Sequence, residues 1–164
     1  MTKFTTLVTC AVGMAALLQS GVSLKTQEVD FPVQEIETET KTDWDRFVES
    51  VIYVESRGDD SAYNKKEKAV GCLQIRPIMV REVNRLLRKA DSELRFTMED
   101  RWDRQKSIVM FDIMAEEVFC CEHLTQMEFF EIVARRWNGG GRGDRKESTV
   151  AYWERVENKF GSDN

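Results

Sequence analysis

Apolar positions recur at three- and four-residue steps in five stretches of the chain, each with its own start and stop signals. The first begins with Thr42 or Asp43 as N-cap and carries Trp44, Phe47, Val48, Val51 and Ile52 on one stripe, with Gly58 as a natural left-handed stop. The second has Pro77 in its first turn and repeats Val80, Val83, Leu86 and Leu87 before a charged tail. The third is expected to open at Thr97, with Asp100 three residues on, and to bury Trp102, Ile108, Phe111, Met114 and Val118. A capping box, Thr125-Gln126-Met127-Glu128, opens the fourth, which is expected to end at Trp137 before Gly139-Gly140-Gly141. The fifth spans about Ser148 to Phe160, with Val150, Trp153, Val156 and Phe160 inward and Gly161 as its stop. No alternating strand pattern is convincing, although 62–75 has room for a short irregular hairpin. The expected class is mainly α, α+β at most.

One residue breaks the pattern. Glu55 lies four residues after Val51 and three after Ile52, so it continues the apolar stripe of the first helix. A carboxyl group there is partly desolvated, which favours its protonated form. A carboxylic acid that keeps its proton near neutral pH is what general acid catalysis at a glycosidic bond requires. The plainer alternative is a Glu that snorkels to water or pairs with backbone N–H groups at a helix end.

The residues that follow add to the first reading. Glu55-Ser56 ends the helix, a polar stretch leads to Gly71-Cys72-Leu73-Gln74, Trp137-Asn138-Gly139-Gly140 closes the fourth helix, and Tyr152 lies on the fifth. In this order the chain resembles the lytic transglycosylase family of the lysozyme-like superfamily, whose members carry Glu-Ser at a helix end, a Gly-Leu-Met-Gln-like turn, an Ala-Tyr-Asn-Ala-Gly-like turn and a late Tyr. The likeness runs from about Trp44 to Val156. It departs at Cys72-Leu73 in place of Leu-Met, at Trp137 in place of Tyr, and at Gly139 in place of Ala. The interval from Glu55 to Gln74 is also slightly longer than usual.

The resemblance implies a single lysozyme-like helical domain with a substrate cleft, acting on peptidoglycan glycan strands. Glu55 would protonate the leaving oxygen of the bond between N-acetylmuramic acid and N-acetylglucosamine. It would then take the proton of the muramyl 6-hydroxyl as that oxygen closes onto C1, leaving a 1,6-anhydro product. Ser56, Gly71, Gln74, Asn138 and Tyr152 would bind or orient. Ser56 could equally bond to the helix end, Gly71 could be an ordinary turn glycine, and Asn138 could simply end a helix. Gln74 offers both a donor and an acceptor. A hydrolytic muramidase would need a second carboxylate, for which Asp59 and Asp60 are nearest in sequence. A non-catalytic cell-wall-binding module of the same fold is a third reading.

Composition narrows the rest. The chain has 164 residues with 24 basic and 29 acidic side chains, and the two signs alternate along it, unlike the basic face of a nucleic-acid binder. Met1-Thr2-Lys3, the uncharged apolar run Phe4–Leu18 and the small residues to Ser23 read as a secretory signal, so residues 1–23 are expected to be removed. Residues 24–41 read as a flexible acidic linker and 42–161 as the domain. The expected protein is exported to the periplasm or beyond, monomeric, without a stable membrane span or cofactor. Cys72, Cys120 and Cys121 leave an odd count after signal removal, consistent with one disulfide and a spare thiol or with buried thiols. Cys120-Cys121-Glu122-His123 does not have zinc-ligand spacing, so no metal is expected.

Overall fold

The computed structural model describes residues 41–118 and 124–162. The expected signal segment, the expected linker up to residue 40, and Cys120, Cys121 and His123 lie outside the described residues.

The protein is mainly helical. Among the described residues are α1 (Asp43–Ser56), α2 (Pro77–Lys89), α3 (Arg104–Glu116), α4 (Gln126–Gly139) and α5 (Val150–Ser162), with a hairpin of β1 (Tyr63–Asn64) and β2 (Ala69–Val70) between α1 and α2. The hairpin is antiparallel, pairing Tyr63 with Val70 and Asn64 with Ala69, and Val70 bridges onward to Ile75. No described helix is long and apolar enough to cross a membrane.

Local chemistry sets the helix ends. Thr42 and Asp45 form a reciprocal capping box at α1, and Thr125 and Glu128 form another at α4. Such caps contribute about 1 kcal/mol each by satisfying first-turn N–H groups. The left-handed turn that stops α1 begins one residue earlier than expected, at Arg57 with φ 60°, and Gly58 follows at φ 86°. α4 runs past Trp137 to Gly139, and α5 runs past Gly161 to Ser162.

The third expected helix is two elements. Thr97 does cap Asp100 in a local turn, its N–H and hydroxyl bonding Asp100 Oδ2 at 2.6 and 2.8 Å. That turn is a 3-10 helix, Glu99–Trp102, and the chain straightens at Asp103, which caps α3 through its bond from the Lys106 N–H. The break turns Trp102 outward, so it is 45 % exposed rather than buried.

The core draws on all five helices and on Cys72, Leu73 and Ile75 of the turn before α2. Phe47 stacks on Phe130 with ring centroids 4.3 Å apart, and Phe111 meets the edge of Trp137 at 4.8 Å. Aromatic pairs in these geometries add about 1 kcal/mol each to their burial. Trp44 closes the cluster, its indole N–H donating to Asp112 at 3.1 Å. Val156, Trp153 and Tyr152 of α5 face the same interior. α1 is therefore gripped along the face that ends at Glu55.

Beneath the hairpin lies a buried arginine. Arg101 donates from Nη1 to the carbonyls of Lys68 and Ile75, both at 3.0 Å, and from Nε to Met98 at 2.7 Å. It ties the hairpin and the turn after it to the 3-10 segment.

Candidate functional site

Glu55 is on the last turn of α1, where the helix face passes from core to surface. Tyr152 of α5 stands behind it, its hydroxyl donating to Glu55 Oε1 at 2.7 Å. Burial pushes the Glu55 carboxyl up from 4.5 to about 7; the Tyr152 hydroxyl, Arg76 and Arg155 pull the other way, and Glu67 adds to the rise. Burial and the adjacent carboxylate hold the Tyr152 phenol protonated well above its ordinary range, so it stays a donor. Burial thus keeps the Glu55 carboxyl protonated up to about neutrality, with one oxygen held by a fixed partner.

In front of Glu55 is a cavity of about 320 Å³, walled almost wholly by polar groups. The hairpin supplies Asn64 and Glu67, the turn after it Gln74 and Arg76, and the end of α4 Trp137 and Asn138. Residues far apart in sequence, Glu55, Gln74 and Asn138, therefore share one hollow. Gln74 reaches it through a left-handed backbone, φ 47°, a conformation that costs a non-glycine residue about 1 kcal/mol or more. Its side-chain amide holds it there, donating to the carbonyls of Ala62 and Gly71 at 3.2 and 3.0 Å. With the amide nitrogen committed to the turn, the carbonyl oxygen is the end of Gln74 left for recognition.

Two expected binding residues have structural work instead. Ser56 donates to the Ile52 carbonyl at 3.3 Å and accepts from the Gly58 N–H at 3.2 Å, so it finishes the helix rather than orienting Glu55. Gly71 does not line the cavity. A Cβ there would lie 2.1 Å from the Arg101 carbonyl oxygen, and the residue has φ 76°. Close approach of protein backbone, not of a glycan, accounts for that glycine. Trp137 is buried in the core and also forms part of the cavity wall.

Neither aspartate after α1 reaches the cavity. Asp59 Oδ1 accepts from the Ser61 N–H and hydroxyl at 2.8 and 2.7 Å, which holds its carboxyl below the usual range. Asp60 pairs with Arg104 at 3.0 Å. The second carboxylate in the hollow is Glu67, 3.7 Å from Arg76 across the cavity wall. Sequence reasoning passed over both, because each lies in a stretch without periodicity; the only available signal was their place within and just beyond a hairpin that follows the acid.

The departures at 72, 73 and 139 are absorbed by packing. Cys72, a free thiol, and Leu73 are both buried in the core, and burial pushes the Cys72 thiol up to about 11. At Gly139 a Cβ would lie 2.6 Å from Thr149 Cγ2, so the glycine makes room for Thr149. Among the described residues no group of three or more His, Cys, Asp or Glu side chains is placed to hold a metal ion. No protein-family model, curated protein or solved structure matches this chain.

Proposed function

We propose that the protein is an exported, peptidoglycan-cleaving enzyme with a lysozyme-like domain, and that it acts as a lytic transglycosylase. The observation that carries this reading is Glu55: a half-buried carboxyl, raised to about 7, bonded to Tyr152 and opening onto a polar cavity with Gln74 and Asn138. In the first step Glu55 gives its proton to the glycosidic oxygen as the C1–O bond of the muramyl residue breaks. The resulting carboxylate, steadied by the Tyr152 hydroxyl, then accepts the proton of the 6-hydroxyl while that oxygen bonds to C1. Glu55 ends protonated, as it began, and no protein nucleophile or water is consumed. Gln74 and Asn138 would hold N-acetyl or hydroxyl groups of the strand on facing walls.

Glu67 supports a second reading. A carboxylate in the same hollow as the acid is what a hydrolase uses to stabilise the oxocarbenium ion or to activate water. Under that reading Glu67, not Asp59 or Asp60, serves this role.

Mass spectrometry of the products released from peptidoglycan by the chain from Leu24 onward separates the readings. Fragments one water lighter than ordinary reducing ends, absent with Glu55→Gln, are expected. Ordinary reducing ends, lost on Glu67→Gln, would establish the hydrolase. Release of nothing, together with glycan binding that Glu55→Gln leaves intact, would make the protein a wall-binding module.

A further inference from the structure

The wall formed by Arg76, Met79 and Trp137 has a second side. Beyond it lies another cavity, of about 340 Å³, which shares those three residues with the polar hollow. The two hollows are opposite in character. Where the first is polar, the floor of the second is Leu86, Met114 and Val118, with Ile78 at its mouth. Ile78 is 56 % exposed although its helix has a buried apolar face of its own. Around the apolar floor stand charges of both signs, Arg76 and Arg136 with Glu82 and Glu117.

The floor itself suits a peptide better than a sugar ring. The ring's hydroxyls need hydrogen-bond partners, and Leu86, Met114 and Val118 offer none. Small methyl side chains do fit, and a rim of mixed sign suits a short chain that carries both carboxylates and an ammonium group. Arg76 is the natural first contact, because its ion pair with Glu67 is long, at 3.7 Å, and it faces both hollows. Arg136 is held more firmly, by Asp144 at 2.9 Å. The volume lies within the range of small-ligand pockets.

We propose that this second cavity binds the short peptide borne by the muramyl sugar, so that the enzyme acts on peptide-bearing strands in preference to bare glycan. The inference rests on the proposed function of the neighbouring site. A strand whose sugar lies against Glu55 would lead its peptide past Arg76 and Trp137, with alanine methyls on the apolar floor and charged groups at the rim.

The test uses two measurements on the purified protein. In the first, the free peptide L-Ala–D-Glu–L-Lys–D-Ala is titrated against the Glu55→Gln protein by NMR, with an N-acetylglucosamine trimer as the competing probe. Saturable shifts at Ile78, Leu86 and Met114 with the peptide are expected, weakened at least tenfold by Ile78→Asp. That variant changes an exposed side chain, and a circular dichroism melt checks its fold. In the second, cleavage of peptide-bearing strands is compared with that of strands stripped of peptide by an amidase. A preference of tenfold or more is expected, falling towards one in Ile78→Asp. Peptide binding without cleavage of either strand would keep the pocket and sink the enzymatic reading. Cleavage without preference and without peptide binding, or the sugar trimer seated on the apolar floor, would overturn the pocket.

Discussion

The hydroxyl of Tyr152 and the carboxyl of Glu55 are joined at 2.7 Å across 97 residues of chain. The bond is made to whichever form Glu55 adopts, but it is stronger to the ionised one, so the phenol lowers a carboxyl that burial raises. Replacing Tyr152 by Phe leaves the burial and removes the donor. The Glu55 carboxyl should then titrate above 7, by about one unit, given that a hydrogen bond to a charged group is worth ~1.5–3 kcal/mol. NMR titration of the Glu55 side-chain carbon measures this without reference to activity. If the protein cleaves glycan, the alkaline limb of its pH profile should move up by the same amount. An unchanged titration would mean that the phenol does not tune the acid.

Stability should respond to the same carboxyl with a definite sign. At low pH the folded and unfolded chains both hold its proton. Between about 4.5 and 7 the unfolded chain releases it while the folded chain keeps it, so the protein loses stability as pH rises through that window. The loss is ~3 kcal/mol at most and is complete above it. Glu55→Gln has no proton to release, so urea unfolding at a series of pH values should show the variant gaining on the wild type from 4.5 to 7. A constant difference across that range would contradict a desolvated Glu55.

Two glycines with almost the same φ should behave differently. Gly71 has φ 76° and Gly140 has φ 81°, but a Cβ at 71 meets the Arg101 carbonyl at 2.1 Å whereas one at 140 meets nothing within 4 Å. Gly140→Ala should cost only backbone strain, ~2 kcal/mol, because its ψ of −176° lies in a region that glycine alone adopts readily. Gly71→Ala must also push the hairpin turn off the 3-10 segment, for a total of about 3 kcal/mol or more. Denaturant melts of the two variants decide it, and equal losses would show that the contact is soft.

Arg101→Met should loosen the hairpin before it unfolds the helices. The substitution keeps apolar bulk but takes the Arg101 donor from the carbonyls of Lys68, Met98 and Ile75, of which Ile75 keeps only the Val70 N–H at 3.3 Å. A cost of about 3 kcal/mol is expected. Amide hydrogen exchange should rise first in residues 62–75, and a uniform rise over the whole protein would count against this local role.

How much of this was legible in the sequence depends on whether neighbours or distant groups decide each feature. α1, α2 and α4 announced themselves, because their stripes and caps are local. The third helix misled, since Asp103 breaks a run whose periodicity is continuous, and Trp102 turns outward as a result. Glu55 was visible as a polar residue on an apolar stripe, and its company with Gln74 and Asn138 followed from the order of short motifs. Glu67 and Arg76 were not visible as members of the hollow. Their positions depend on a hairpin of two-residue strands held by an arginine 25 or more residues away, and no local pattern encodes such a tether. Ser56 and Gly71 were legible as special residues, but only the contacts around them show that their tasks are a helix end and a close backbone crossing.

The bond between α1 and α5 also gives the chain a built-in delay. Glu55 is made early and its phenol partner nearly a hundred residues later. A chain still emerging, or cut anywhere before Tyr152, holds the acid without the group that steadies it and without the α5 side chains that bury it. On the proposed function, Glu55 would gain its fixed partner only once α5 docks, so a chain cut before Tyr152 is expected to be inactive.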